Sequence, residues 1–150
     1  MRLFPKSSWT CLFPTTLSVY SYEGLLGAIA KFPLVCGGTD SNCFRELSTL
    51  FAHMKQETGT FNYVNEIACI NTYSDACNYC SGSCGGKRYF GRGAFQLSWN
   101  YNYDAFSRAF YGDNRLLNSP DNVATDPALA IGSAIWFYST YQSSKGVMRE

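Results

Sequence analysis

The sequence predicts a mainly α-helical domain whose helices are joined by long, irregular, disulfide-stapled loops. Three observations carry that expectation. Phe44, Leu47, Leu50, Phe51 and Met54 recur at steps of three and four, the spacing of one buried helix face, and apolar sets of helical length lie to either side of them. The segment from Ile67 to Gly86 is instead polar and carries Cys69, Cys77, Cys80 and Cys84 among Asn, Ser, Asp and Gly, the composition of a cross-linked loop. A chain of 150 residues is one domain's worth, and at that size a single core buries about two thirds of the unfolded surface. No internal repeat or low-complexity stretch divides it.

The chain begins with apolar positions broken by Pro5, Lys6, Ser7, Ser8 and Pro14, which is not the pattern of a secretory signal. Tyr22 to Ala30 reads as a first helix, with Ser21 as N-cap ahead of Glu23, an apolar set of Leu25, Leu26 and Ile29, and Pro33 closing it. Cys36 to Asn42 is a turn-rich loop. The central helix follows and ends at Gly59. Beyond the stapled loop, Gln96, Ser98 and Asn102 recur at even spacing, so in extended chain they share a face. Ala105 to Tyr111 forms a short helix, and Asn118-Ser119-Pro120 begins a loop. Val123 to Ala130 then leads into the last helix, Pro127 to Thr140, with Pro127 in its first turn after Asp126 and Trp136 in the core.

Composition limits the partners. The net charge is +1 with 15% charged residues, so there is no electrostatic footprint for nucleic acid or an anionic membrane, and no run suited to spanning one. A neutral partner fits better. Aromatic residues make up 17%, and rings with a polar handle suit both a core and a sugar-stacking groove. Cys77-Asn-Tyr-Cys80 lacks the strand and helix of a redox site and the paired spacing of a zinc site, so a structural disulfide outranks both. The lone His53 makes no zinc site, and no metal or cofactor is expected.

Two carboxylates stand out. Glu57 extends the apolar stripe, three residues after Met54. Burial and the negative end of the helix dipole would then raise its pKa and make it a proton donor. Had the helix run on, Glu66 would lie on the opposite face about 13 Å away, so a break at Thr58 and Gly59 is what lets both face one cleft. Glu66, expected to be the more exposed, would be the more readily ionised. Two carboxylates in unlike settings across a groove are the equipment of a glycosidase.

The wording around them is specific. HMKQETGTFNYVNEI at 53–67 and KRYFGRGAFQLSWNYNY at 87–103 resemble the two signature segments of glycoside hydrolase family 19, the lysozyme-like chitinases. The resemblance continues through YSYEGLLGAIAKFP at 20–33 and NVATDPALAIGSAIWFY at 122–138, and so spans a domain taken as 9–150. It implies a lysozyme-like helical fold and an inverting endochitinase acting on β-1,4-linked N-acetylglucosamine polymers. Glu57 would be the acid, Glu66 the base and Ser98 a holder of the water, with Tyr89, Gln96, Tyr101 and Asn102 contacting the sugar. It also implies a bridge between Cys80 and Cys84. Cys36, Cys43, Cys69 and Cys77 would supply the others in a connectivity left open, with Cys11 the odd one.

Two departures accompany the resemblance. Gln56 stands where the family usually has His, and the chain stops short of the family's C-terminal third, as if truncated there. A peptidoglycan-cleaving hydrolase on the same scaffold and an inactive chitin-binding remnant are the alternative readings. Heavy cysteine use implies a secreted, extracellular protein, and a monomer is expected.

Overall fold

The computed structural model describes residues 4–33, 35 and 39–141. Among these residues the chain forms α1 (Lys6–Leu12), α2 (Tyr22–Lys31), α3 (Asp40–Glu57), α4 (Ile67–Ile70), a 3-10 turn (Asp75–Cys77), α5 (Asn100–Tyr111), α6 (Arg115–Asn118), α7 (Asn122–Thr125), α8 (Pro127–Trp136) and a π-helical turn (Phe137–Tyr141). There is no strand among them, only isolated bridges of Arg92 with Asn65 and with Leu97. Helix starts are capped as the sequence suggests. The Ser21 hydroxyl accepts from the Gly24 N–H at 3.1 Å, and one Asp126 oxygen accepts from the N–H groups of Ala128 and Leu129, satisfying amides that a helix start leaves without partners.

Helix α8 organises the packing. It is buried from Leu129 to Trp136, as a helix apolar on all sides must be. One side, with Ala130, Ile131, Ala134 and Ile135, packs into a cluster with Leu25 and Ala28 of α2 and Leu47, Leu50 and Met54 of α3. The other side, with Leu129 and Trp136, joins Tyr103, Phe106 and Phe110 of α5 together with Leu116 and Val123. The fold is thus helical on both sides of one buried helix.

Several boundaries differ from the sequence reading. Helix α1 was not anticipated. Its Trp9 is buried and meets the rings of Phe13 and Phe51 edge-on, so apolar contact outweighs the polar interruptions around it. Helix α3 starts at Asp40, inside the stretch read as loop, because the Thr39 hydroxyl accepts from the Asn42 N–H. Phe44 is 47% exposed, and Cys43 takes its place on the buried stripe. Helix α5 starts at Asn100 and not at Ala105, and the last helix changes to π-type turns after Trp136.

The loop between α4 and α5 is held by bridges and by two arginines, half-buried Arg88 and buried Arg92. Disulfides join Cys69 with Cys77 and Cys80 with Cys84, the latter with Cα atoms 6.2 Å apart, while Cys11 is free and exposed. Cys36 lies outside the described residues. The Arg88 guanidinium sits between the rings of Tyr73 and Phe90 and donates to the carbonyls of Cys69 and Thr72. Arg92 is buried. It donates to the Phe90 carbonyl and the Tyr103 hydroxyl and pairs with Asp121 at 2.7 Å, as a buried charge requires. Among the described residues no helix is long and apolar enough to cross a membrane.

Candidate active site

The end of α3 builds the first wall. From Met54, three helical steps turn about 300° and four about 400°, so position 58 lies closer to the Met54 face than position 57 does. The buried stripe accordingly passes to Thr58, which is fully buried, and Glu57 is exposed. This corrects the expectation of a carboxylate buried on the apolar side. The Thr58 hydroxyl donates to the Met54 carbonyl at 2.6 Å and accepts from the Phe61 N–H at 2.8 Å.

The break after Glu57 is longer than a single glycine. Gly59, Thr60 and Phe61 all have left-handed backbones, with φ of 55°, 64° and 62°, a conformation that Thr and Phe rarely adopt. Tertiary packing sustains it. The Phe61 side chain is fully buried against the rings of Phe13 and Tyr20, at centroid distances of 4.9 and 5.2 Å, and the Tyr20 hydroxyl donates to the Tyr63 carbonyl. The reversal carries the chain from Glu57 round to Glu66.

Glu66 sits on the second wall, immediately before α4, and is fixed at both ends. Its N–H donates to the Gly91 carbonyl at 2.8 Å, and one side-chain oxygen accepts from the Gly91 N–H at 3.0 Å. Its other oxygen accepts from the Tyr79 hydroxyl at 2.9 Å. The Tyr79 pKa is raised, first by that hydrogen bond and then by burial, so the phenol stays a donor. Gly91 is needed for a close approach, since a Cβ there would meet the Gln96 side-chain oxygen at 2.9 Å. Glu66 is half-buried while Glu57 is exposed, which reverses the order of exposure expected from sequence.

The two walls enclose a groove of about 530 Å³ lined by Glu57, Tyr63, Glu66, Tyr79, Gln96 and Ser98, with Gly59, Asn65 and Ile67 completing it. Gln96 donates to the Gly93 carbonyl at 3.1 Å and Ser98 to the Gln96 carbonyl at 2.9 Å. The extended strip proposed for Gln96, Ser98 and Asn102 does not form. Gln96 has φ 51°, and Asn102 lies in the first turn of α5. Asn102 donates to the Ser98 carbonyl and lines a neighbouring cavity of about 160 Å³ that it shares with Gln96, Ser98 and Trp99. Tyr101 is 51% exposed and stacks on Trp99 with planes 20° apart. Tyr89 is not in the groove. It is 3% exposed, packs on Tyr103 and donates to the Leu117 carbonyl, because a ring in this core must bring its hydroxyl a partner.

Sequence reasoning missed Tyr63, Asn65, Ile67 and Tyr79 as groove residues, and of these Tyr79 bonds a carboxylate. It lies in an irregular loop without periodicity, and the adjoining Cys80 was its only sign of being held in place.

In this helical fold two glutamates line one groove on either side of a strained reversal in the chain, and comparison with known proteins gives the family. The chain belongs to glycoside hydrolase family 19: the family model described as chitinase class I matches residues 11–150. Among curated proteins it is similar to Endochitinase A of Zea mays, 40% identical over 120 residues that cover 79% of this chain and 42% of that protein. It is likewise similar to Endochitinase CHI of Arabidopsis thaliana, 40% identical over 126 residues covering 81% and 44%. Among solved structures it resembles chitinase C from Streptomyces griseus (TM-score 0.79, 32% identity, 92% of this chain and 66% of that one). It also resembles a class IV family 19 chitinase from Zea mays (TM-score 0.78, 27% identity, 97% and 76%). The chain spans less than half the length of the curated relatives it matches.

Proposed function

We propose that this chain hydrolyses β-1,4 linkages in N-acetylglucosamine polymers, chitin above all, with inversion at the anomeric carbon, and that residues 9–150 belong to the catalytic domain. The observation that carries the reading is that Glu57 and Glu66 line one groove that also holds Ser98. Inversion needs a carboxyl on each face of the sugar with room between them for a water.

The contrast in their settings divides the work. Both oxygens of Glu66 accept hydrogen bonds from the protein, which fixes the carboxylate, and each keeps a lone pair for the hydrogen of an attacking water. Glu66 is therefore the base. Glu57 accepts no hydrogen bond from the described residues and faces the groove, so it can reach the leaving oxygen as the acid. The Ser98 hydroxyl, oriented by the Gln96 carbonyl, helps hold the water. Gln96, Asn102 and the Trp99–Tyr101 pair offer the amides and ring faces that acetamido sugars require. Tyr89 acts from the core and not by contact with sugar.

The disulfides support a secreted, extracellular protein, since such bonds persist in oxidising compartments. The test is release of reducing ends from colloidal chitin and from bacterial cell-wall sacculi in parallel. Chitin is expected to be the better substrate; cleavage of sacculi alone would move the reading to a peptidoglycan hydrolase, and binding of chitin without cleavage would refute an enzyme.

A further inference from the structure

Asn100 does not line the groove, yet it holds the segment that carries Tyr79. Its N–H donates to the Tyr79 carbonyl at 3.1 Å. Its side-chain oxygen accepts from the Ser81 N–H at 2.9 Å, and its side-chain amide donates to the Ser81 carbonyl at 3.0 Å. That reciprocal pair imitates the exchange between residues of two neighbouring strands, and it needs a side chain with both a donor and an acceptor. The same segment is tied by the Tyr89 N–H to the Asn78 carbonyl at 2.8 Å and by the Trp99 ring, edge-on to Tyr79 at 5.5 Å.

What these contacts hold is a backbone that relaxes if released. Tyr79 has φ 47°, a left-handed conformation that a bulky residue keeps only when its surroundings impose it. In that conformation its hydroxyl reaches Glu66.

We propose that Asn100 is a positioning residue for hydrolysis: by clamping Ser81 and Tyr79 it keeps the phenol on Glu66 and so fixes the orientation of that carboxylate. The proposal rests on the reading of Glu66 as the base. Without the side-chain clamp, residues 79–81 lose two of these ties, Tyr79 returns toward ordinary φ, and Glu66 keeps only the Gly91 N–H.

The test has two arms on the full chain. In the first, the Tyr79 phenol is titrated by NMR with ring-labelled tyrosine, its resonance assigned by its loss in Tyr79→Phe. The hydrogen bond to Glu66 raises this pKa above 10.0, so Asn100→Ala should lower it toward that value. In the second, kcat and KM are measured on a soluble N-acetylglucosamine oligomer for Tyr79→Phe, Asn100→Ala and the double variant. Each single change should lower kcat about tenfold with KM nearly constant, as a misplaced catalytic group does. The double variant should be no slower than the slower single, because the two residues act as one unit. An unchanged phenol titration in Asn100→Ala, or kcat losses that multiply, would overturn the proposal. Asn100→Asp, which keeps the acceptor and loses the donor, gives the same comparison if the alanine variant does not fold. A wild-type chain that hydrolyses nothing refutes the reading of the groove, while the titration still decides whether Asn100 holds Tyr79 on Glu66.

Discussion

Glu57 and Glu66 share a groove but are held in opposite ways. Glu66 is gripped directly, with a backbone bond and two side-chain bonds from Gly91 and Tyr79. Glu57 is placed only through its backbone, by the hydroxyl of Thr58 and the left-handed run that follows. On the proposed mechanism this difference gives the two carboxyls different tasks: the one that aims at a small water is locked, and the one that follows a departing sugar oxygen is left free at its tip.

The largest effects are expected at the carboxyls themselves. Glu57→Gln should lower kcat by roughly 10²–10⁴-fold, the range of general acid–base catalysis, while oligosaccharide affinity measured by calorimetry stays close to wild type. Glu66→Gln should also cost heavily but less completely, because a bound water keeps some reactivity. A larger loss at Glu66 than at Glu57 would break the division of labour.

Thr58 comes next. Thr58→Val keeps the shape and removes the hydroxyl, leaving the buried Phe61 N–H without its acceptor. A buried unsatisfied amide costs about 1–3 kcal/mol, readable as a lower urea midpoint, and Thr58→Ser should recover most of it. Unchanged stability in the valine variant would mean that the reversal is held by Phe61 packing alone. Gly59→Ala should add about 1 kcal/mol of strain at its positive φ, and its Cβ would press the Tyr63 ring at 2.9 Å.

These wall residues also show how much the sequence made legible. The helix around Leu47, the Ser21 cap, Pro127 in the first turn of the last helix and the Cys-rich loop follow from local rules of spacing, capping and composition, and the structure has them. The break at Thr58 and Gly59 was legible too. The setting of Glu57 was misread because one residue's difference in helical phase exchanges a buried position for an exposed one, and Thr58 is small enough to take the buried place. The clamp on Glu66 was out of reach, since Tyr79, Gly91 and Asn100 meet only in three dimensions and no periodicity joins them. Gln96 and Ser98 reach the groove through a turn and not the expected extended strip.

The smallest effect concerns pH. The Tyr79 pKa is raised in the folded chain above its ordinary 10.0 by the bond to Glu66 and by burial. A raised folded pKa gives stability that is fully present below the unfolded value and is lost as pH rises through the folded one. Urea unfolding across the alkaline range should therefore show wild type losing its advantage over Tyr79→Phe above about pH 10. An advantage that stays constant there would mean that the phenol does not bond Glu66 in solution.

The proposed arrangement sets Glu57 and Glu66 on opposite faces of the bound sugar, with a water between the sugar and Glu66. It is tested most directly by the anomeric configuration of the first product. Proton NMR of the early time course on a soluble β-1,4-linked N-acetylglucosamine hexamer distinguishes the anomers before mutarotation mixes them. The account predicts the α-anomer, formed by water attacking the face opposite the departing chain. A first-formed β-anomer would mean retention and would contradict the role assigned to Glu66.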